Sequence, residues 1–186
     1  MQIALAGFMG VGKSTIGPLL AAELSRPFID TDEVVELTLG RSIVECFQAG
    51  DESVFREAEA AAVRKALDGA PSVIALGGGA ILRDDTRRLL LEKALLVHLY
   101  VPWSEVQVWI PEYAATRPLL QGRSVAEIQE LYLSRLRVYQ QAHLQVTVPR
   151  TSPEDAVQRI LGSLPNGSGP SPAPMTPDRG TARQPR

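Results

Sequence analysis

The sequence predicts an α/β protein built on a parallel sheet, and three observations indicate this fold. Short apolar runs alternate with longer stretches of helical periodicity over the first 164 residues. The runs are apolar at nearly every position, which is typical of strands covered by helices on both faces. The chain of 186 residues is long enough for one domain with a substantial core. We expect three layers, with five parallel strands between helices and right-handed crossovers.

The individual elements follow from these patterns and from the residues that interrupt them. The first helix is expected to end before Arg26-Pro27, because the residue before a proline disfavours helical geometry. An Ala-rich helix is expected to stop at Gly69. The predicted strands are residues 2–6, 27–30, 72–77, 94–101 and 144–148. The predicted helices are residues 13–25, 52–68, 125–142 and 153–163.

The composition excludes several classes of protein. With 45% hydrophobic residues, 22% charged residues and a net charge of −2, the chain shows no bias toward nucleic acid or membrane surfaces as partners. Cys46 is the only cysteine, which excludes a disulfide within the chain and a cysteine-based metal site. No apolar run is long enough to span a bilayer, and the first residues lack the features of a signal peptide. We expect a cytoplasmic protein.

The C-terminal segment differs in composition from the rest of the chain. Residues 165–186 are rich in Pro, Gly, Ser and Thr and contain almost no bulky apolar residue. Such a segment cannot bury enough surface to offset the entropy that is lost on ordering. We expect one domain over residues 1–164, followed by a disordered tail.

The segment between the first predicted strand and the first predicted helix carries a phosphate-binding motif. Residues 7–14, GFMGVGKS, match G-x-x-x-x-G-K-[ST] at every fixed position. The glycines permit tight turns, so that successive backbone amides can point at phosphate oxygens near the helix N-terminus. We expect Lys13 to reach the β- and γ-phosphates of ATP and Ser14 to bind Mg²⁺. The residues expected to bind ATP here are Gly10, Val11, Gly12, Lys13, Ser14 and Thr15.

A nucleotide site alone does not specify a reaction. A GTPase would carry Asn or Thr followed by Lys-x-Asp to read guanine, yet none of Lys13, Lys65 and Lys93 is followed by x-Asp. A large ATPase would need a long strand that ends in an acidic residue, and the chain is short for that class. A small kinase remains, in which catalysis is mainly positioning and charge neutralisation.

Two carboxylates stand two positions apart in FIDTDE, residues 28–33. In a strand, residues i and i+2 project to the same face, so we expect Asp30 and Asp32 to point into one site. Their repulsion would be offset by a metal ion, by a hydroxyl that loses its proton, or by a helix N-terminus. In the last case, Thr31 or Asp32 would cap the helix that follows.

Arginines and a glycine triplet form further candidate sites. Arg56 lies near the start of a predicted helix, and Gly77–Gly79 follow a buried strand, either as a ligand-contacting segment or as a plain turn. Of Arg135 and Arg137, one is expected to lie on a solvated helix face. Arg117 belongs either to a lid over the triphosphate or to an ordinary surface loop. Because Arg binds carboxylates through two parallel hydrogen bonds, the pattern favours a polyhydroxylated acid as acceptor.

In this order and spacing, the clusters closely resemble those of shikimate kinase, over about residues 3 to 162. The matching segments are GFMGVGKSTIG, FIDTD, GRSIVECF, ESVFREAE, LGGGAIL, TRPLL and SRLRVY. The resemblance implies a nucleoside-monophosphate-kinase-like fold with strand order 2-3-1-4-5, an acceptor-binding segment at about 32–60 and a mobile lid at about 110–124. It also implies a monomer that uses MgATP to phosphorylate the 3-hydroxyl of shikimate, in chorismate and aromatic amino-acid biosynthesis.

The resemblance also implies roles for individual residues. Arg56 and Arg135 would hold the carboxylate of shikimate, and Asp32 would hold its hydroxyls. The implied substrate-binding residues are Asp32, Phe47, Phe55, Arg56, Gly77, Gly78, Gly79 and Arg135. The implied catalytic residues are Lys13, Asp30 and the lid residue Arg117, with Ser14 and, through water, Asp30 at the metal. Arg137 receives no role.

The chain departs from the family pattern at three places. The G-E-x-x-F-R of the family reads DESVFR at residues 51–56, with Gly50 one place early. Pro18 stands inside the first helix, where relatives usually carry Arg. Trp109 and Ile110 stand ahead of the lid, where relatives often carry Arg close to the adenine, so we do not expect the usual adenine contact there. Residues 148–153 are expected to form the other side of the adenine pocket, with Arg150 as an ATP contact.

Two alternative functions stay open. The first is a kinase of the same fold for another hydroxylated acid, such as gluconate, although the G-G-G and F-R-x-x-E clusters favour shikimate. The second is a nucleotide-binding regulatory module without catalysis. Such a module would bind ATP and release no ADP in response to shikimate.

Overall fold

The computed structural model describes residues 1–114, 119–148 and 152–164, with the backbone alone over 111–114. The strands are β1 (Gln2–Ala6), β2 (Phe28–Asp30), β3 (Val73–Ala75), β4 (Ala94–Tyr100) and β5 (Leu144–Thr147). The helices are α1 (Lys13–Glu23), α2 (Thr31–Leu39), α3 (Ile43–Gln48), α4 (Glu52–Asp68), α5 (Asp84–Lys93), α6 (Trp103–Ala114), α7 (Val125–Tyr139) and α8 (Pro153–Ser163). The predicted tail, residues 165–186, lies outside the described residues.

Five strands form one parallel sheet in the order β2-β3-β1-β4-β5, which confirms the predicted fold and strand order. The central strand β1 pairs on both sides, so that Ala4 lies opposite Ile74 of β3 and Leu96 of β4. All three residues are fully buried. The carboxyl ends of the strands meet at one edge of the sheet, which is where open α/β sheets bind ligands.

The apolar residues form a large cluster around the sheet and a small second cluster beside it. The second cluster contains Val35 of α2, Cys46 of α3 and Phe55 and Ala62 of α4. It packs these three helices together over the region expected to bind the acceptor. Among the described residues, no helix combines the length and apolarity that crossing a bilayer requires.

The bounds of α4 and α8 agree with those expected from the sequence, and α7 ends at Tyr139 rather than at residue 142. Helices α3, α5 and α6 were not among the predicted helices, and α2 was expected only in the alternative in which a helix N-terminus follows Asp30. A local signal marks the start of α3, where Ser42 Oγ accepts from the Glu45 N–H at 3.2 Å and the Glu45 carboxylate accepts from the Ser42 N–H at 2.7 Å. This reciprocal capping box is a recognisable helix start.

Helix α1 packs close to β2. Gly17 faces the ring of Phe28, and the ring occupies the space that a side chain at position 17 would need. Pro18 lies on the exposed side of the helix, beyond its first turn. The helix therefore lacks one backbone hydrogen bond at this point, while its buried face keeps its packing.

Candidate active site

The loop between β1 and α1 has the backbone geometry that a phosphate-binding loop needs. Gly10 and Gly12 have φ angles of 81° and 97°, in the left-handed region that other residues rarely adopt. Gly12 is also the N-cap of α1, so the N-terminal amides of the helix open at the loop. The residues that line a cavity here include Gly10, Gly12, Lys13, Ser14, Thr15, Asp30 and Asp32.

Two of the expected ATP contacts interact with the loop itself. The Lys13 ammonium donates to the carbonyl oxygens of Gly7 at 2.9 Å and Phe8 at 3.4 Å. A phosphate held by the loop amides would compete with these carbonyls for the ammonium, because a charge-assisted hydrogen bond is stronger. Val11 differs from the other expected contacts, since its side chain is buried and its N–H donates to the Phe8 carbonyl at 3.3 Å.

Ser14 and Asp30, the expected metal-site residues, are in direct contact. Ser14 Oγ donates to Asp30 Oδ2 at 2.8 Å, and Asp30 Oδ1 accepts from the Asp32 N–H at 3.0 Å. A hydroxyl and a carboxylate are hard oxygen ligands of the kind that Mg²⁺ prefers. Among the described residues, no group of three or more acidic, His or Cys side chains could hold a metal by itself. The pair therefore fits a metal ion that is also bound by nucleotide phosphates and water.

The strand geometry expected for Asp30 and Asp32 is wrong. Strand β2 ends at Asp30 and helix α2 begins at Thr31, so Asp32 lies in the first turn of a helix. Neither Thr31 nor Asp32 caps α2, because the carboxylate of Asp30 is the N-cap. Both aspartates nevertheless line the same two adjoining cavities, since the chain passes directly from strand into helix.

The second cavity, which we call the acceptor cavity, has a volume of about 270 Å³ and adjoins the phosphate loop. Most of the residues expected to bind substrate line it, namely Asp32, Phe47, Phe55, Arg56, Gly78, Gly79 and Arg135. The rings of Phe47 and Phe55 lie 5.3 Å apart and form an apolar wall. Ser14, Asp30 and Asp32 line both cavities, so an acceptor in one would face a phosphate in the other.

Arg56 is held in place from several directions. Its Nη1 donates to Glu59 Oε2 at 2.9 Å, its Nη2 donates to Glu52 Oε1 at 3.2 Å, and its guanidinium lies 5.0 Å from the centre of the Phe55 ring. Glu59 is buried, and burial raises the pKa of its carboxyl while the Arg56 guanidinium opposes that rise. In the described part of the chain, Glu59 Oε1 has no hydrogen-bond partner. Glu59 belongs to the F-R-x-x-E segment, but no role was expected for it.

Arg135 brings a second, almost fully buried guanidinium to the cavity from α7. Its Nη1 donates to the Gly78 carbonyl at 3.4 Å, and the Tyr139 hydroxyl donates to the same carbonyl at 2.7 Å. Burial raises the pKa of Tyr139 to about 12, so its hydroxyl stays a neutral donor. Within the described residues, Arg135 Nε lacks a hydrogen-bond partner. Arg137 is exposed, which agrees with its having no expected role.

The glycine triplet leaves room for charged side chains. A Cβ atom at Gly77 would collide with Asp32 Oδ1 and would lie 2.7 Å from Glu59 Oε1. A Cβ atom at Gly79 would collide with Arg56 Nη1, and one at Gly78 would lie 3.5 Å from Arg135 Nη1. The N–H of Gly77 donates to Thr31 Oγ1 at 2.9 Å. Gly78 and Gly79 line the acceptor cavity, whereas Gly77 is not among its lining residues.

The remaining expected contacts have two different outcomes. Arg117 and Arg150 lie outside the described residues. Trp109 and Ile110 are buried in the core, at 2% and 3% exposure.

Comparisons with known proteins agree with this geometry. The chain matches the family model described as shikimate kinase over residues 9–165. It is 40% identical to the shikimate kinase of Nitrobacter winogradskyi over 164 residues. This alignment covers 88% of this chain and 76% of that protein. A solved structure of shikimate kinase from Acinetobacter baumannii in complex with shikimate is 33% identical, with a TM-score of 0.80 over 86% of this chain and 90% of that one.

A gluconokinase from Sinorhizobium meliloti 1021 also superposes, with a TM-score of 0.53 over 87% of this chain and 89% of that one. Its identity of 17% shows a shared fold alone. The family model instead matches residues 9–165, which include Lys13, Ser14 and the residues that line the acceptor cavity, and the more similar relative matches most of the chain. The chain therefore belongs to the shikimate kinase family, whose members are phosphotransferases that act on an alcohol group.

Proposed function

We propose that the chain transfers the γ-phosphoryl group of ATP to the 3-hydroxyl of shikimate, in chorismate and aromatic amino-acid biosynthesis. The products are shikimate 3-phosphate and ADP. One observation carries the proposal: the acceptor cavity has two guanidinium groups at one side and adjoins the phosphate loop at the other, with Asp32 lining both cavities. Membership of the family supports the choice of shikimate over gluconate.

At the acceptor side, Arg56 and Arg135 hold the carboxylate of shikimate. The two guanidinium groups flank Gly78 and Gly79 and lie close enough to that backbone for any side chain there to displace them or touch them. A carboxylate between two such groups accepts several charge-assisted hydrogen bonds. Asp32 accepts hydrogen bonds from the ring hydroxyls, and Phe47 and Phe55 contact the apolar face of the ring.

At the phosphate side, the loop amides and Lys13 stabilise charge on the transferred group, and Asp30 accepts the proton of the reacting hydroxyl. Ser14 and, through water, Asp30 would hold Mg²⁺. When bound, Mg²⁺ would supply positive charge that offsets the negative charge developing during transfer. The contact between Ser14 Oγ and Asp30 Oδ2 at 2.8 Å supports this shared site.

The resemblance supports the remaining assignments. Arg117 closes over the triphosphate as part of a lid at about residues 110–124, and Arg150 contacts the nucleotide near the adenine. Lid closure would exclude water and so suppress hydrolysis of ATP. By the same resemblance, the protein acts as a cytoplasmic monomer.

A coupled assay for ADP release tests the proposal directly. Three parallel reactions contain shikimate, gluconate or no acceptor. We expect ADP release that depends on shikimate, and Lys13→Ala should abolish it because the cation at the phosphates is lost. Faster release with gluconate would assign a different acceptor. Binding of ATP without any shikimate-dependent release would indicate a regulatory module instead of an enzyme.

A further inference from the structure

The indole ring of Trp109 lies against the phosphate loop. Trp109 is on α6, the helix that leads into the expected lid, and it is only 2% exposed. A Cβ atom at Gly10 would lie 2.8 Å from the indole Nε1 and 3.3 Å from Cδ1. The edge of the indole is therefore in van der Waals contact with the backbone of Gly10, a loop residue that lines the phosphate cavity.

The space behind the loop is filled almost completely. Phe8 and Val11 of the loop face Val106 and Trp109 of α6 and Tyr132 of α7 around a void of about 10 Å³. This volume holds no more than about one water molecule. Tyr132 packs edge-on against Phe8 at 5.4 Å, so the loop rests on a continuous apolar surface of which Trp109 forms one part.

Contact with this surface matters because the backbone of Gly10 lies in the left-handed region, which glycine can enter and leave easily. Its φ of 81° directs the neighbouring amides, and glycine gives it the freedom to leave that conformation at little cost. An indole packed against Gly10 removes part of that freedom, so less conformational entropy is lost when the loop closes around a phosphate.

We propose that Trp109 is a positioning residue for the phosphate loop, which holds Gly10 in the conformation that binds the nucleotide phosphates. The inference rests on the proposed function in one respect, since it requires that nucleotide binds at this loop. It assigns to α6 a contact with the loop on the side of the small void, whereas phosphates would bind in the cavity that Gly10 lines. Movement of α6 would thereby change the affinity of the loop for nucleotide.

Fluorescence provides a test that keeps Trp109 in place. The chain has two tryptophans, Trp103 and Trp109, so Trp103→Phe leaves Trp109 as the single indole. MgADP is titrated into this variant, and emission and calorimetric heat are recorded in parallel. We expect the emission of Trp109 to change and to saturate together with the heat. Heat of binding with no change in emission would overturn this inference and leave the proposed function intact. No binding of MgADP would contradict the proposed function as well.

Kinetics separate a positioning role from a purely structural one. Trp109→Phe should raise the KM for ATP and the Kd for MgADP by about threefold to tenfold, the size of a typical coupling between contacting residues. The KM for shikimate should stay within about twofold of wild type. Trp103→Phe is the matched control, because Trp103 is on the same helix and packs against Tyr132 at 5.5 Å, and it should leave the KM for ATP unchanged. If Trp109→Phe lowers thermal stability but keeps the wild-type KM for ATP, Trp109 contributes only to the core and does not position the loop.

Discussion

Asp30, Asp32 and Glu59 all line the acceptor cavity, yet their hydrogen-bond partners differ. Asp30 accepts from Ser14 Oγ and from the Asp32 N–H, which ties it to the phosphate side. Glu59 accepts from Arg56, which ties it to the side expected to hold the carboxylate. Carboxylate oxygens of Asp32 and Glu59 both lie where a side chain at position 77 would be, so these two residues are close to each other. These partners therefore predict different roles for Asp30 and Asp32 toward the substrate, while Glu59 acts through Arg56.

Replacing either aspartate by asparagine tests this division. Asp32→Asn should raise the KM for shikimate by about tenfold, because the amide accepts hydrogen bonds from hydroxyls less strongly than a carboxylate does. Asp30→Asn should lower kcat by about 100-fold through loss of the proton acceptor, with a smaller effect on the KM for shikimate. Asparagine is a good N-cap, so α2 should keep its start. The measurement is initial rates with shikimate varied at saturating MgATP.

Asp68→Asn is the control for these variants, since Asp68 pairs with Lys93 at 2.7 Å on the surface and should leave both constants unchanged. The same kinetic defect in the Asp30 and Asp32 variants would contradict the division of roles.

At the scale of the element, the segment Gly77–Gly79 after β3 leaves the space that neighbouring charged side chains occupy. Each of the three glycines adjoins a different charged group, and a methyl group at Gly77 or Gly79 would overlap it. A plain turn from strand to helix needs no such series of glycines. The alternative of an ordinary turn, which was open on the sequence, therefore does not account for the triplet.

Gly79→Ala provides a steric test of the position of Arg56. The backbone of Gly79 has φ −104° and ψ −14°, which alanine adopts without strain, so the added methyl group acts only on Arg56 Nη1. We expect the KM for shikimate to rise by about tenfold and the free energy of unfolding to change by less than about 1 kcal/mol. Gly162→Ala in α8 is the control, because no atom lies within 4 Å of its added Cβ. Kinetic constants of Gly79→Ala equal to wild type would show that Arg56 does not hold the acceptor.

The end of α4 was predicted accurately from a glycine, whereas α1 ends at Glu23, two residues before the end predicted from Pro27. Helix α4 stops at Asp68 before Gly69, as expected. The strand geometry expected for Asp32 was wrong, because two residues with period 2 cannot distinguish a continuing strand from a strand that ends in a helix cap. For Arg135 and Arg137, helical geometry places two residues that are two apart on different sides of α7, but only tertiary packing decides which side is buried.

Other residues at or near the site could not be found from local pattern. The burial of Glu59 and its lack of a partner for Oε1 among the described residues depend on how α4 packs beside the glycine triplet. The contact between Trp109 and Gly10 joins residues that are far apart in sequence. Tyr139 reads as one more aromatic residue on an amphipathic helix until its hydroxyl is seen to bond the Gly78 carbonyl.

At the scale of the whole molecule, a buried histidine links stability to pH. His98 of β4 is 2% exposed, its Nδ1 lies 3.1 Å from Gln145 Oε1 of β5, and its ring stacks on Tyr139. Burial lowers the pKa of His98 from 6.5 to about 4. Between these two pH values the unfolded chain binds more protons at this residue than the folded protein does. The free energy of unfolding should therefore fall as the pH drops from 6.5 toward 4.

The contribution of His98 is measured as a difference between two proteins. Urea unfolding is recorded at pH 7 and pH 4.5 for wild type and for His98→Gln, which keeps a polar group opposite Gln145. We expect the loss of unfolding free energy between the two pH values to be smaller by about 2 kcal/mol in the variant. All other residues are the same in both proteins, so the difference between them reports on position 98. An equal loss in both proteins would show that His98 does not titrate in this range.

The central claim is that one cavity holds an acceptor by its carboxylate while the phosphate loop delivers the phosphoryl group. The most direct measurement compares shikimate with its methyl ester as acceptors, each with wild type and with Arg56→Ala. In wild type, kcat/KM should favour the acid by between about tenfold and 100-fold, the value of hydrogen bonds to a charged group. In Arg56→Ala this preference should fall to a smaller value, because the acid then loses its contact with Arg56 and keeps only the one with Arg135. An Arg56→Ala variant that keeps the full wild-type preference for the acid would contradict the account.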